Sequence, residues 1–174
     1  MGWFKISANT VKLDSTNPPT ETAYKGGIVL SFVKATDNKI QFVAQLPHKY
    51  KLGTDLCFHI HLVLPVAGSS SGAENVKFDL TYSWADINGA FPAETTITAT
   101  RDVQNDSADT HILLDIGDVL ASNKVGTDDV SSMIICSLER DTSVADNYDD
   151  SVYLLEADFH YQIDAPGSRE EFTK

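Results

Sequence analysis

The chain has 174 residues, and its 25 acidic side chains against 13 basic ones give a formal net charge of −12. Such a surface repels phosphate backbones and anionic lipid, so neither nucleic acid nor a membrane surface is expected as a partner. No stretch reaches the roughly 18 apolar residues of a membrane span, and at this length a hydrophobic fraction of 42% can build one core without disulfides or metals.

Residues 1–25 read as an N-terminal arm. Asn17-Pro18-Pro19-Thr20 interrupts any regular element there, because proline fixes φ and removes a donor. Trp3 and Phe4 are the arm's candidate assembly contacts, since an aromatic pair on an arm packs either on its own domain or on a neighbour. Met1 to Ser7 lack the apolar core of a signal peptide, so the expectation is synthesis in a cytoplasm without export.

Residues 26–174 read as one all-β domain. Gly26–Val33 and Lys39–Leu46 come first, the second with Ile40, Phe42 and Ala44 on one face. Leu56–Leu64 follows, with Phe58, Ile60, Leu62 and Leu64 alternating. Asn75–Trp84 has the cleanest period of two: Val76, Phe78, Leu80, Tyr82 and Trp84 stand against Lys77, Asp79, Thr81 and Ser83. Thr95–Thr100 is Thr-rich, and Thr110–Ile116 sets His111, Leu113 and Asp115 opposite Ile112, Leu114 and Ile116. Ile116–Lys124 is the single helix candidate, and a short one. Ser131–Arg140 precedes an acidic surface loop, Asp146–Asp150. Val152–Asp164 closes the set, with Leu155, Ala157, Phe159, Tyr161 and Ile163 inward and Glu156, Asp158, His160 and Gln162 outward.

Eight strands separated by turn residues predict a β-sandwich, in particular an eight-stranded jelly roll with an N-terminal arm; a closed up-and-down barrel is the alternative. Cys57 and Cys136 sit in apolar runs and read as free thiols acting as small hydrophobes.

The sharpest chemical feature is His59-Ile60-His61. Residues i and i+2 of a strand share a face, so both imidazoles point one way, as two ligands to one metal do. Gly53 precedes them with the G-x5-H-x-H spacing that resembles the start of a cupin motif. The glutamate that cupins place about four residues on is missing, since Leu62-Val63-Leu64-Pro65-Val66 follows. His160, beside Asp158 and Glu156, is the candidate third ligand if the last strand neighbours Leu56–Leu64. His48 and His111 read as surface residues. Asp128-Asp129 and Asp149-Asp150 read as solvated charge, with weak calcium binding as the alternative.

Nucleophile elbows and phosphate-cradling glycine loops are absent from the sequence, so no catalytic residue, no cofactor and no enzyme activity are expected. Glycan binding would need exposed aromatics; Tyr148 and Tyr153 are the candidates, while Tyr82 and Trp84 fall on the core face.

Several segments together resemble a family of proteins common in tailed-bacteriophage and viral-metagenome genomes. They are His59-Ile60-His61, Tyr82–Gly89 (YSWADING), Ser131–Cys136 (SSMIIC), Arg140-Asp141, and Asp158–Asp164 (DFHYQID) running on to Gly167–Glu171 (GSREE). The likeness spans residues 40–174. It implies a virion structural protein, a capsid decoration or cement protein or a head-fibre or tail component, made in the host bacterial cytoplasm. Its partners would be copies of itself, by analogy a trimer, and other virion proteins such as the major capsid protein. Arg169, Glu170 and Glu171 of the tail would join Trp3 and Phe4 as assembly contacts. A glycan-binding jelly-roll module on the particle and a cupin-like metal-dependent enzyme are the alternatives.

Overall fold

A computed structural model describes residues 11–126 and 131–164, together with the strand path of residues 2–7. The eight expected strands all form. They are β4 (Gly27–Phe32), β5 (Lys39–Gln45), β6 (Leu56–Val63), β7 (Asn75–Ala85), β8 (Thr95–Asp102), β9 (His111–Val119), β10 (Met133–Arg140) and β11 (Val152–Tyr161). Seven of them have one apolar face that is removed from water by packing on the other sheet; on β8 the inward set, Ile97 and Ala99 among it, is only half-buried. On β7 the whole alternating set Val76, Phe78, Leu80, Tyr82 and Trp84 is buried.

The strands make two antiparallel sheets. One runs β4-β11-β6-β9 and the other β5-β10-β7-β8. This interleaved order is that of a jelly roll, in which the chain keeps crossing between sheets as a doubled Greek key. Phe42, Phe58 and Phe159 meet across the sandwich, Phe58 and Phe159 with ring centres 4.7 Å apart.

The described part of residues 1–25, expected as an arm or loosely packed lead-in, is paired into both sheets. β1 (Gly2–Ser7) pairs with β11, β2 (Lys12–Leu13) with β5, and β3 (Thr20–Tyr24) with β4. The prolines Pro18 and Pro19 fall between β2 and β3, where no ladder donor is needed. β4 pairs with residues 152–154 of β11 and β1 with residues 156–161, so the two lie end to end along one long partner. The helix candidate at Ile116–Lys124 is also corrected. β9 continues to Val119, and only a 3-10 turn, Ala121–Asn123, follows. The buried Tyr82 hydroxyl holds that turn by accepting from the Leu120 amide and the Asn123 side-chain amide.

Loop Asp146–Asp150 is another correction. Asp146 and Tyr148 are buried, because the loop folds over Arg140, itself wholly buried at the end of β10. The Arg140 guanidinium donates from Nε and Nη2 to both Asp146 carboxylate oxygens, and from Nη1 to the carbonyls of Phe32 and Asp150. Burial pushes the Tyr148 hydroxyl up to about 12, and it donates to the Val66 carbonyl at 2.7 Å.

A second lock holds the segment after β7. Lys124 Nζ donates to both oxygens of buried Asp86, at 3.0 and 2.8 Å, and Val125 bridges to Ala85. Gly126 has φ +127°, and a Cβ there would lie 2.5 Å from the Asp86 Cβ. Gly126→Ala should therefore cost about 1–3 kcal/mol through backbone strain and crowding. Urea denaturation tests this; an unchanged midpoint would mean the segment yields without cost.

Candidate functional site

Two concave surfaces stand on opposite outer faces of the sandwich. The first lies over β6, β9 and β11, with a volume of about 570 Å³. β6, which carries His59 and His61, runs between two strands that each contain a bulge. On β11 the register shifts between Leu154 and Glu156; on β9 it shifts at Ile116, between the partners of Phe58 and His59. Bulges re-aim side chains, and here both flank the histidine pair. The β11 bulge also corrects the phase of that strand. Leu154 rather than Leu155 is fully buried, Ala157, Phe159 and Tyr161 follow it inward, and Ile163 is exposed.

The pocket floor is His59 and Asp158, directly opposite in the ladder and only 6% and 4% exposed. His59 Nε2 lies 2.6 Å from Asp158 Oδ1, and His61 Nε2 lies 3.9 Å from the same oxygen. Distance alone joins the closer pair. Oδ1 has no aligned hydrogen-bond donor among the described residues and is left as a buried acceptor. His160 Nε2 approaches the other oxygen at 3.8 Å, and its ring meets that of His59 edge-on at 4.4 Å. His61 Nδ1 and His111 Nε2 are 2.7 Å apart.

Burial is the main cause that lowers the pKa of His59. Asp158 opposes it, and the His160 and His61 rings add to it. His59 therefore favours the neutral imidazole, with a lone pair available. Burial and neighbouring carboxylates, Asp115 first among them, push the Cys57 thiol up to about 11. Cys57 is thus a thiol at neutral pH and bonds to Asp115 Oδ1 at 3.6 Å.

The three residues expected at a metal site are brought into one pocket, because β11 does neighbour β6. The donor atoms that converge to within 4.8 Å of one another are nevertheless those of His59, His61 and Asp158, with His160 at their side. His111, expected on the surface without a partner, stands against His61. The alternation on β9 placed it on the polar face, but only the strand order puts β9 next to β6. His48 is half-buried, with Nε2 2.6 Å from Ser131 Oγ. Trp3 and Phe4 stand on β1, in register with His160 and Phe159; their side chains, and Asp128, Asp129, Arg169, Glu170 and Glu171, lie outside the described residues. Cys57 and Cys136 are free thiols, and Cys136 is buried.

The second concave surface is a groove of about 700 Å³ over β5, β10 and β7. Its base is apolar and open: Val43, Phe91 and Ile135 are 56%, 46% and 45% exposed. Gln41, Glu94 and Lys12 stand along it. The aromatics expected for glycan binding are elsewhere. Tyr148 is buried, and Tyr153 packs edge-on against Tyr24 with ring centres 5.4 Å apart.

No protein-family model matches the chain, and no curated protein matches it in sequence. Among solved structures it is similar to the C-terminal family 22 carbohydrate-binding module of Clostridium thermocellum Xyn10B, at 18% identity and a TM-score of 0.44, over 89% of this chain and 88% of that one. It is similar to a family 28 module specific for non-crystalline cellulose, at 12% identity and a TM-score of 0.48, over 88% and 89%. It is also similar to a chain of infectious bursal disease virus, Gx strain, at 14% identity and a TM-score of 0.42, over 95% of this chain and 33% of that one. The jelly-roll architecture itself rests on the strand order.

Proposed function

We propose that this chain is a non-catalytic structural protein of a tailed-phage particle, a jelly-roll module that works by docking onto copies of itself in the virion. The observation that carries the reading is the groove on the β5-β10-β7 face. In a chain of net charge −12, three large apolar side chains stand together in the open on one sheet face. Contiguous apolar surface rimmed by polar residues marks interaction sites. Val43 and Ile135 are aliphatic and lie on neighbouring strands, which suits a flat protein partner. The sequence resemblance supports the virion setting, and the absence of a nucleophile motif supports a role without catalysis.

The test is mass by light scattering on the purified full chain across a concentration series. A defined oligomer is expected. Ile135→Asp should return it to monomer while changing stability by no more than about 0.5 kcal/mol, as for a surface position. A chain monomeric at every concentration, or an oligomer indifferent to Ile135→Asp, would sink the self-docking reading.

One observation favours a second reading of the same groove. Phe91 is exposed beside Glu94 and Gln41, a ring with polar neighbours of the kind that stacks on and hydrogen-bonds a sugar. Glycan-array binding abolished by Phe91→Ala would support it, and a blank array would remove it.

A further inference from the structure

The imidazole–carboxylate pocket lies on the face opposite the groove, and its chemistry is independent of the docking proposal. We infer that His59, His61 and Asp158 form a binding site for one divalent transition-metal ion of the zinc class, clamped across β6 and β11.

Two imidazoles and one carboxylate suit zinc, copper, nickel or iron, whereas calcium and magnesium take six or more oxygens. Three protein ligands with a remaining side open to a pocket is the arrangement of zinc sites that keep an exchangeable position. Ligand atoms at zinc–donor distances of 2.0–2.2 Å in a tetrahedron are separated by roughly 3.3 Å. The observed separations from Asp158 Oδ1, 2.6 Å to His59 Nε2 and 3.9 Å to His61 Nε2, bracket that value. Small side-chain rotations bring both to it. The backbone beneath is already held, because His59 and Asp158 face each other in the ladder and His61 is two residues along the same strand.

The state of Asp158 Oδ1 points the same way. The residue is 4% exposed, and this oxygen has no aligned hydrogen-bond donor among the described residues. A buried acceptor left without a donor is costly. A dication at that oxygen removes the defect. His111 supplies the outer contact. His61 Nδ1 and His111 Nε2 are 2.7 Å apart, and the tautomer in which His61 Nδ1–H donates leaves its lone pair on Nε2, the atom that faces Asp158. Ligating histidines are usually oriented by such a bond.

The experiment uses the full chain, freed of metal with a chelator and titrated with ZnCl₂ by calorimetry, with Co²⁺ absorbance as the readout of ligand geometry. One equivalent of zinc is expected, with an intense visible Co²⁺ spectrum. At 100-fold excess over Kd the unfolding midpoint should rise by roughly 5–10 °C. His61→Gln, at the half-buried wall, should weaken zinc binding by more than about 100-fold, and His111→Phe by about 10-fold. His48→Gln, outside the pocket, should change nothing. Circular dichroism of each variant checks that it has folded. Absence of saturable binding by the wild-type chain would overturn the inference. So would binding retained in a folded His61→Gln variant, which would place the ion elsewhere.

Discussion

Replacing Arg140 with leucine is expected to destabilise the fold by about 3 kcal/mol, a fall in unfolding midpoint of roughly 6–12 °C for a chain of this size. The guanidinium is wholly buried and ties four parts of the chain together: Asp146, the Phe32 carbonyl at the end of β4, and the carbonyls of Tyr148 and Asp150. Leucine fills part of the volume but leaves a buried carboxylate and three carbonyls without that donor. Asp146 keeps the amide of Lys77 and the approach of Lys34 Nζ at 3.5 Å, which holds the cost at the lower end of the range for a broken buried pair. Adding Asp146→Leu to the same chain should recover part of the loss, since the stranded charge goes while the carbonyls stay unpaired. Guanidinium denaturation of the two variants decides it; a loss under about 1 kcal/mol for Arg140→Leu would show that water reaches the site and replaces the side chain.

Phe58→Ala is expected to cost about 3–5 kcal/mol, the usual penalty for emptying a large aromatic site in a packed core. Phe58 lies 6.1 Å from Phe42 and 4.7 Å from Phe159, ring centre to ring centre, so it joins the two sheets at their middle. Phe91→Ala is the control. Its ring is open to solvent, and stability should move by no more than about 0.5 kcal/mol. Equal losses at the two positions in thermal melts would contradict the assignment of one to the core and the other to a binding surface.

The eight long strands were legible because a half-buried strand writes a period of two into the sequence, and β7 does so over its whole length. β1, β2 and β3 were not legible. β2 is two residues long, β3 is Thr- and Glu-bearing with no buried residue, and the proline pair between them reads as an interruption. Loop Asp146–Asp150 looked like surface because aspartates usually are; its burial depends on Arg140, which resembles any strand-terminal arginine until its neighbours are known. The site was half legible. His59-Ile60-His61 announces a shared face, and the carboxylates of the last strand were visible beside His160. Which of them meets the pair depends on strand order and on two bulges, and neither appears in hydrophobic alternation.

The segments on which the expectation of a phage family rests divide along the same line. Tyr82–Gly89, Ser131–Cys136 and Arg140 serve the frame: Trp84 Nε1 donates to Ser132 Oγ, the Tyr82 hydroxyl holds the turn after β9, and Asp86 pairs with Lys124. His59, His61, Asp158 and His160 line the pocket instead.

The two concave surfaces are separated by the full thickness of the core, since one is built from outward residues of β6 and β11 and the other from outward residues of β5 and β10. Orientation on any support is thereby decided by which side adheres. A copy lying on its aliphatic side turns its imidazoles toward the medium, where solutes reach them freely; a copy lying the other way up hides them and leaves Val43 and Ile135 wet.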